Sequence, residues 1–218
     1  MFLPKFFFSR WANTPEKHNL VQLAFSLIFF GLCYMIPNKL HFIDYHLLPT
    51  LFNENVSIPI VDWTLILYFS SFVQPLVATY LIRNSERTTR FWFLVRIMMS
   101  VQGIIFVLYP TYLTYRPDPL SRPTLWQPVW KFLHMADTPL NCCPSMHVSV
   151  GLLCTIAVFK FRNLSVGLPT ALWSLGIIVS TLTTKQHYIV DIIGAAVLVL
   201  LILPFLLIEP KLKKLKKE

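Results

Sequence analysis

Three short segments in the second half of this 218-residue chain carry most of the side chains that can do chemistry. In the third segment, His187 and Asp191 are four residues apart, so both fall on one face of a helix that begins near Gln186. A carboxylate there fixes one imidazole nitrogen as a donor and leaves the other nitrogen free to attack an electrophile. A buried His–Asp pair that only holds two helices together is the structural alternative.

The second segment runs from Asn141 to His147 and contains Pro144 and Ser145. Proline suits the first position of a helix, and the free backbone N–H groups of a helix N-terminus bind oxyanions such as phosphate. We therefore expect Ser145 to contact a phosphate and His147 to project from the same first turn. An ordinary serine cap followed by a hydrogen-bonded histidine gives the same pattern.

Cations occur in the first and third segments. Arg116 and Arg122 belong to the first segment, and Lys185 precedes the histidine of the third by two residues. We predict that these three cations bind phosphate, because a guanidinium in particular matches the geometry of a tetrahedral anion. For any single arginine, the alternative to phosphate binding is a long side chain that only places its charge at the membrane interface. Together the three segments contain what is needed to position a phosphoryl group, attack it and protonate its leaving group.

The composition indicates a membrane protein. Apolar residues make up 55% of the chain and charged residues 13%, whereas soluble domains contain about 25% charged residues. This deficit of charged residues, with a mean hydropathy of +0.59, excludes intrinsic disorder, and four cysteines exclude a disulfide scaffold. In so apolar a chain, the net charge of +9 indicates basic loops beside a membrane, and we expect no nucleic-acid partner.

Six apolar segments approach or reach the roughly 20 residues that a membrane-spanning helix needs. They predict an all-α fold, in which residues 1–218 form one integral membrane domain, a six-helix bundle. The predicted spans are Leu20–Ile36, Val61–Ile82, Phe91–Leu113, Met146–Phe161, Val166–Leu182 and Ile189–Ile208.

Basic residues are distributed unevenly between the two sides that six spans define. The termini and the even-numbered connections carry 13 lysines and arginines, and the other side carries 5. The positive-inside rule therefore predicts cytoplasmic termini in a plasma or inner membrane, with the three chemical segments on the periplasmic or extracellular side. The outward segment 38–60 contains apolar residues and two prolines, and we expect it to be a partly helical interfacial segment or a plain connector.

At the three segments the chain resembles the type-2 phosphatidic acid phosphatase superfamily, which also includes the vanadium haloperoxidases. The family pattern is Lys-x6-Arg-Pro, then Pro-Ser-Gly-His, then Ser-Arg-x5-His-x3-Asp. Within residues 109–194 the chain reads Tyr109-x6-Arg116-Pro117, Pro144-Ser145-Met146-His147 and Ser180-Thr181-x5-His187-x3-Asp191.

The chain departs from the family pattern at three positions. Tyr109, Thr181 and Met146 stand where the family has Lys, Arg and Gly. Two phosphate-binding cations of the pattern are therefore missing, and we expect Lys185 and Arg122 to replace them. The run around Lys185 resembles the branch that includes inositol-phosphorylceramide-synthase-like proteins.

The resemblance implies a metal-independent lipid phosphate phosphatase that needs no cofactor. His187 would attack phosphorus and form a phosphohistidine, Asp191 would orient and stabilise its ring, and His147 would protonate the leaving group. The expected partners are membrane lipids and a lipid phosphate substrate, namely phosphatidate, a prenyl diphosphate or a lipid A-type phosphate. His134 and Asp137 match no metal template, and we expect Asp137 to support the catalytic loop instead.

Two other functions remain open. A phosphotransferase of the synthase-like branch would pass a phosphoryl head group to another lipid. A non-catalytic lipid transporter or degenerate family member would explain the missing Lys and Arg.

Overall fold

The computed structural model describes residues 15–39 and 43–207, and these residues form a mostly helical structure. The helices within these ranges are α1 Pro15–Phe30, α2 Glu54–Ser57, α3 Leu65–Ser70, α4 Gln74–Ile82, α5 Ser85–Leu108, α6 Gln127–Ala136, α7 Met146–Phe161, α8 Leu164–Thr183 and α9 Ile189–Leu207. A π-helix, Gly31–Met35, continues α1, and short 3-10 helices cover Asp62–Thr64 and Pro119–Ser121.

The helix lengths confirm an all-α fold with membrane-spanning helices. Lys17–Met35, α5, α8 and α9 are each long and apolar enough to cross a bilayer. The pair α3–α4, with the 3-10 turn before it, passes the same test as one span that is bent by 40°. The fourth predicted span, α7, is apolar but has only 16 residues.

The largest displacement of a predicted span within the described residues is that of the third. The third predicted span, Phe91–Leu113, lies too far along the chain, because α5 begins at Ser85 and ends at Leu108, and Tyr109 already leaves the helical conformation. Pro110 follows, and a proline disfavours a helical conformation in the residue before it. The predicted end of the last span, Ile208, lies outside the described residues.

The main core lies between α5, α7 and α9 and is built from buried apolar residues, with polar contacts that fix the start of α7. The Gln102 side-chain amide of α5 donates to the Pro144 carbonyl and to the Ser149 hydroxyl, each at 3.0 Å. Gly194 lets α9 approach the same point, because a Cβ atom there would meet Cys143 Sγ at 3.1 Å. The start of α7 is therefore packed closely between two long helices.

A small parallel sheet joins the segments outside the spans. Strand β1, His46–Leu47, pairs with β2, Thr111–Tyr112. The Thr111 hydroxyl accepts the backbone N–H groups of Cys142 and Cys143, each at 3.1 Å. The connection that contains β1 is partly helical, as predicted, since it also forms α2. These contacts bring the first and second chemical segments together.

Candidate active site

His187 and Asp191 form a hydrogen-bonded pair at the start of α9. His187 Nδ1 lies 3.1 Å from Asp191 Oδ2, and the same oxygen accepts the Tyr188 backbone N–H at 2.9 Å. Because that oxygen is an acceptor, Nδ1 of His187 carries the hydrogen and Nε2 is the nitrogen left to react. Both side chains are buried.

The pair forms although α9 begins at Ile189 and not near Gln186 as expected. The residues before it close the end of α8: Lys185 adopts a left-handed conformation with φ 55°. The N–H groups of Gln186 and His187 then donate to the Thr181 carbonyl at 3.0 and 3.2 Å. Such bonds satisfy carbonyls at a helix C-terminus, and here they hold His187 just ahead of the next helix.

The second segment lies directly against the third. The Ser145 hydroxyl caps α7 by accepting the Val148 N–H at 3.4 Å. The Ser145 backbone N–H donates to the Asp191 carbonyl at 3.2 Å. The N-terminus of α7 is therefore fixed beside the His–Asp pair.

The two predicted histidines are neighbours. The ring centroids of His147 and His187 are 5.8 Å apart, at an interplanar angle of 62°. On its other sides, His147 packs against Tyr68 at 4.4 Å and against Phe72 at 5.7 Å, both centroid distances. Tyr68 lies near the end of α3 and Phe72 in the break before α4, so the bend in this span encloses one histidine.

Arg116 is the predicted cation that reaches the site. Its Nη1 donates to the Asp137 backbone carbonyl at 2.9 Å, and its Nη2 donates to Gln186 Oε1, next to His187. Its Nε is buried and has no hydrogen-bond partner among the described residues. The guanidinium thus connects the first segment to the third, and its Nε–H group can still donate a hydrogen bond to a bound molecule.

The other two predicted cations bind elsewhere. The Lys185 ammonium donates to the carbonyls of Glu54 and Ile58, and its burial lowers the pKa of Lys185. Arg122 forms a bidentate ion pair with Asp62 at 2.8 and 2.9 Å, and these hydrogen bonds raise the pKa of Arg122. These contacts do not support the prediction that Lys185 and Arg122 replace the missing cations.

The side chains at the two positions that lack the pattern's cations contact other groups of the protein. Tyr109 is 52% exposed and stacks on the ring of His46 at 3.9 Å. The Thr181 side chain is buried and donates to the Ile178 carbonyl at 2.7 Å. Among the described cations, Arg116 is therefore the one whose contacts put it beside the histidines.

Asp137 brings a second carboxylate close to the site. Its two oxygens accept hydrogen bonds from Tyr34 at 2.6 Å and from Tyr68 at 3.4 Å. Burial raises the pKa of the Asp137 carboxyl, an effect that the Tyr34 hydrogen bond and the Arg116 charge oppose. No sequence motif marks the two tyrosines, which lie 103 and 69 residues away from Asp137 along the chain.

Several buried polar atoms around the site have no partner among the described residues. They include Asp191 Oδ1, both polar atoms of the Asn141 side chain and His134 Nε2. Buried polar groups are normally paired, so these atoms have hydrogen-bonding capacity for a polar molecule. Within residues 15–39 and 43–207, no three His, Cys, Asp or Glu side chains converge as metal ligands.

A comparison with protein-family models identifies the family. The model of the PAP2 superfamily matches residues 35–205, which include both histidines, Asp191 and Arg116. The chain belongs to the PAP2 superfamily. PAP2 proteins are generally phosphatases, and membership together with the apolar helices indicates an integral membrane protein with phosphatase-type activity on phosphorylated lipids. Searches of curated proteins and of solved structures found no match.

Proposed function

We propose that this PAP2 protein is an integral membrane phosphatase that hydrolyses a phosphorylated lipid through a phosphohistidine intermediate. The observation that carries the proposal is the arrangement of His187, held by Asp191 at 3.1 Å, and His147, whose ring is 5.8 Å from that of His187. Phosphatidate, a prenyl diphosphate and a lipid A-type phosphate are the proposed substrates, because each presents a terminal phosphate at a membrane surface.

In the first step, Nε2 of His187 attacks phosphorus and the bond between phosphorus and the leaving oxygen breaks. His147 donates a proton to that oxygen, which leaves as the lipid alcohol or as the shorter lipid phosphate. Asp191 stabilises the positive charge that develops on the His187 ring. In the second step, His147 takes a proton from water, the resulting hydroxide attacks phosphorus, and phosphate and free His187 are released.

The phosphoryl oxygens are held by groups that surround the two rings. Arg116 offers its buried Nε, and the first backbone N–H groups of α7 have no intrahelical partner. Ser145, as the cap of α7, lies at the same helix start. These donors stabilise the charge that the oxygens carry in the transition state.

We further propose that the termini are cytoplasmic and that the site faces the periplasmic or extracellular side of a plasma or inner membrane. The excess of basic residues beside the termini supports this orientation.

Phosphate release from lipid phosphates in mixed micelles tests the proposal. We expect the purified protein to release phosphate, His187→Ala to abolish release, and His147→Ala to lower kcat by about 100-fold or more. His46→Ala is the matched control, because His46 stacks on an exposed tyrosine outside the site. Full activity in both His187→Ala and His147→Ala would refute the proposal.

A second candidate function is favoured by the small number of cations. Tyr109 and Thr181 replace two cations of the family pattern, and Lys185 and Arg122 bind other groups. One guanidinium balances a phosphodiester, with one negative charge, better than a phosphomonoester, which carries close to two at pH 7. We therefore propose, as the alternative, a phosphotransferase that moves a phosphoryl head group from a phosphodiester lipid to the hydroxyl of a second lipid.

Mass spectrometry of the products distinguishes the two functions. A phosphatase releases free phosphate and leaves an added alcohol unmodified. A phosphotransferase transfers the head group to the added lipid alcohol and releases little phosphate. A wild-type protein that yields neither product would instead support a non-catalytic member of the family.

A further inference from the structure

Asp137 binds two tyrosines that differ in what else they contact. Tyr34 and Tyr68 each donate a hydroxyl hydrogen bond to a different oxygen of the Asp137 carboxylate, at 2.6 and 3.4 Å. Tyr34 stacks on Phe30 and meets the edge of Phe106. Tyr68 instead lies against the ring of His147.

The contact between Tyr68 and His147 is close. The ring centroids are 4.4 Å apart and the planes are tilted by 34°, so the imidazole lies over the aromatic face. The face of an aromatic ring is negative, and it attracts a positively charged neighbour. A tyrosine hydroxyl that donates to a carboxylate makes its ring more electron-rich, which favours the protonated form of the imidazole on that face.

The position of Tyr68 is fixed at both ends. Its ring is 1% exposed and packs with Leu65, Trp130 and Leu133 in a separate apolar cluster. Its hydroxyl is held by Asp137. The ring therefore has little freedom to follow His147, and the imidazole is held in place against it.

We propose that Asp137 is a positioning residue for the reaction: by holding the Tyr68 hydroxyl, it fixes His147 in the orientation that faces His187. This inference rests on the proposed function, in which His147 is the proton donor to the leaving group. Asp137 thus positions His147 indirectly, through Tyr68, whereas Asp191 binds His187 directly. The two carboxylates hold the two imidazoles from different segments of the chain.

The contact with Arg116 makes the proposal testable. Arg116 donates to the backbone carbonyl of Asp137, not to its carboxylate. A change of the Asp137 side chain therefore leaves the bond to the guanidinium in place. Loss of the carboxylate should lower kcat, through His147, and leave KM, which depends on phosphate binding by Arg116, nearly unchanged.

The experiment compares Tyr68→Phe and Asp137→Asn with the matched control Tyr34→Phe. Tyr68→Phe keeps the ring and removes the hydroxyl, and we expect kcat to fall about 10-fold with KM within about twofold of wild type. The alkaline limb of the kcat–pH profile should move to lower pH, and Asp137→Asn should change both quantities in the same direction. Tyr34→Phe removes the shorter bond to the same carboxylate but leaves the Tyr68 hydroxyl and its contact with His147 in place, and kcat should fall much less than in Tyr68→Phe.

A second measurement does not depend on turnover. Diethyl pyrocarbonate modifies unprotonated imidazoles, and mass spectrometry of the His147 peptide gives the extent of modification at each pH. The midpoint for His147 should move to lower pH in Tyr68→Phe and Asp137→Asn and move much less in Tyr34→Phe. If the wild type forms no product, the proposed function fails, and this shift still supports the positioning of His147.

Two results would overturn the inference. An unchanged kcat–pH profile and an unchanged His147 midpoint in folded Tyr68→Phe would show that the hydroxyl does not act on His147. An equal loss of kcat in Tyr34→Phe would show that the effect does not pass through Tyr68.

Discussion

Replacement of Lys185 by methionine tests whether this cation has a structural role or binds phosphate. The Lys185 ammonium donates to the carbonyls of Glu54 and Ile58, and the side chain is 3% exposed. Glu54 lies in α2, and its carboxylate also accepts the backbone N–H of Ile189 at 3.4 Å. The lysine and this glutamate therefore fasten the outward connection to the loop that carries His187.

The expected loss of stability follows from these contacts. A hydrogen bond to a charged group contributes about 1.5–3 kcal/mol, and Lys185→Met removes two such bonds while keeping a chain of similar length. The loss is partly offset, because a buried ammonium no longer has to be desolvated. We expect a net loss of about 3 kcal/mol in the free energy of unfolding, or roughly 6–12 °C in the unfolding midpoint of a chain of this size.

The assay measures the unfolding midpoint in detergent and KM for the lipid phosphate well below that midpoint. Lys131→Met is the matched control, because Lys131 is an exposed lysine on α6. We expect Lys185→Met to lower the midpoint and keep KM within about twofold of wild type, and Lys131→Met to change neither. A tenfold rise in KM with an unchanged midpoint would mean that Lys185 binds phosphate, and the reasoning from its contacts would be refuted.

Four further changes test the site and its surroundings. Arg116→Lys should raise KM about 10-fold, because an ammonium lacks the fork that spans two partners; an unchanged KM would contradict this. Asp191→Asn should lower kcat by about 100-fold or more while the unfolding midpoint stays near wild type, as measured by phosphate release. The side chains of the ion pair between Arg122 and Asp62 are 18% and 13% exposed, respectively. Asp62→Asn weakens this bidentate pair and should lower the unfolding midpoint by about 2–6 °C without changing kcat/KM. Burial lowers the pKa of His134 from 6.5 to about 4. As pH falls, His134 therefore takes up its proton in the unfolded chain at a higher pH than in the folded protein, and stability should decrease between pH 6.5 and 4. In a series of unfolding midpoints measured across this range, His134→Phe should remove the part of the pH dependence that comes from this histidine.

The parts of the site that sequence reasoning predicted are those encoded by short spacing. His187 and Asp191 are four residues apart, and their pairing survives although α9 begins later than expected. His147 lies in the first turn after Ser145, as the proline and serine before it predicted. Local spacing sets these relations, so they do not depend on how the rest of the chain packs.

The partners of the charged residues were not predictable in the same way. Lys185 and Glu54 are 131 residues apart in sequence, and Arg122 and Asp62 are 60 apart. A cation near a phosphate motif can bind the phosphate or a distant carboxylate or carbonyl, and its residue type does not distinguish these outcomes. Tyr68 depends on tertiary packing too, since it lies on α3 and the ring that it contacts, His147, lies on α7.

The short length of α7 agrees with a reaction at the membrane surface. Its 16 residues span about 24 Å, whereas the hydrocarbon core of a bilayer is about 30 Å thick. In the proposed orientation, Lys160 at the other end of α7 lies at the cytoplasmic edge, and the first turn with His147 then lies a short distance below the outer edge. A lipid phosphate that descends by that distance reaches both imidazoles while its acyl chains stay in the bilayer. Unpaired polar groups of this first turn would be unfavourable below the membrane surface, because lipid acyl chains form no hydrogen bonds. The contacts of Ser145 with Asp191 and of Gln102 with Pro144 provide hydrogen bonds within the protein instead.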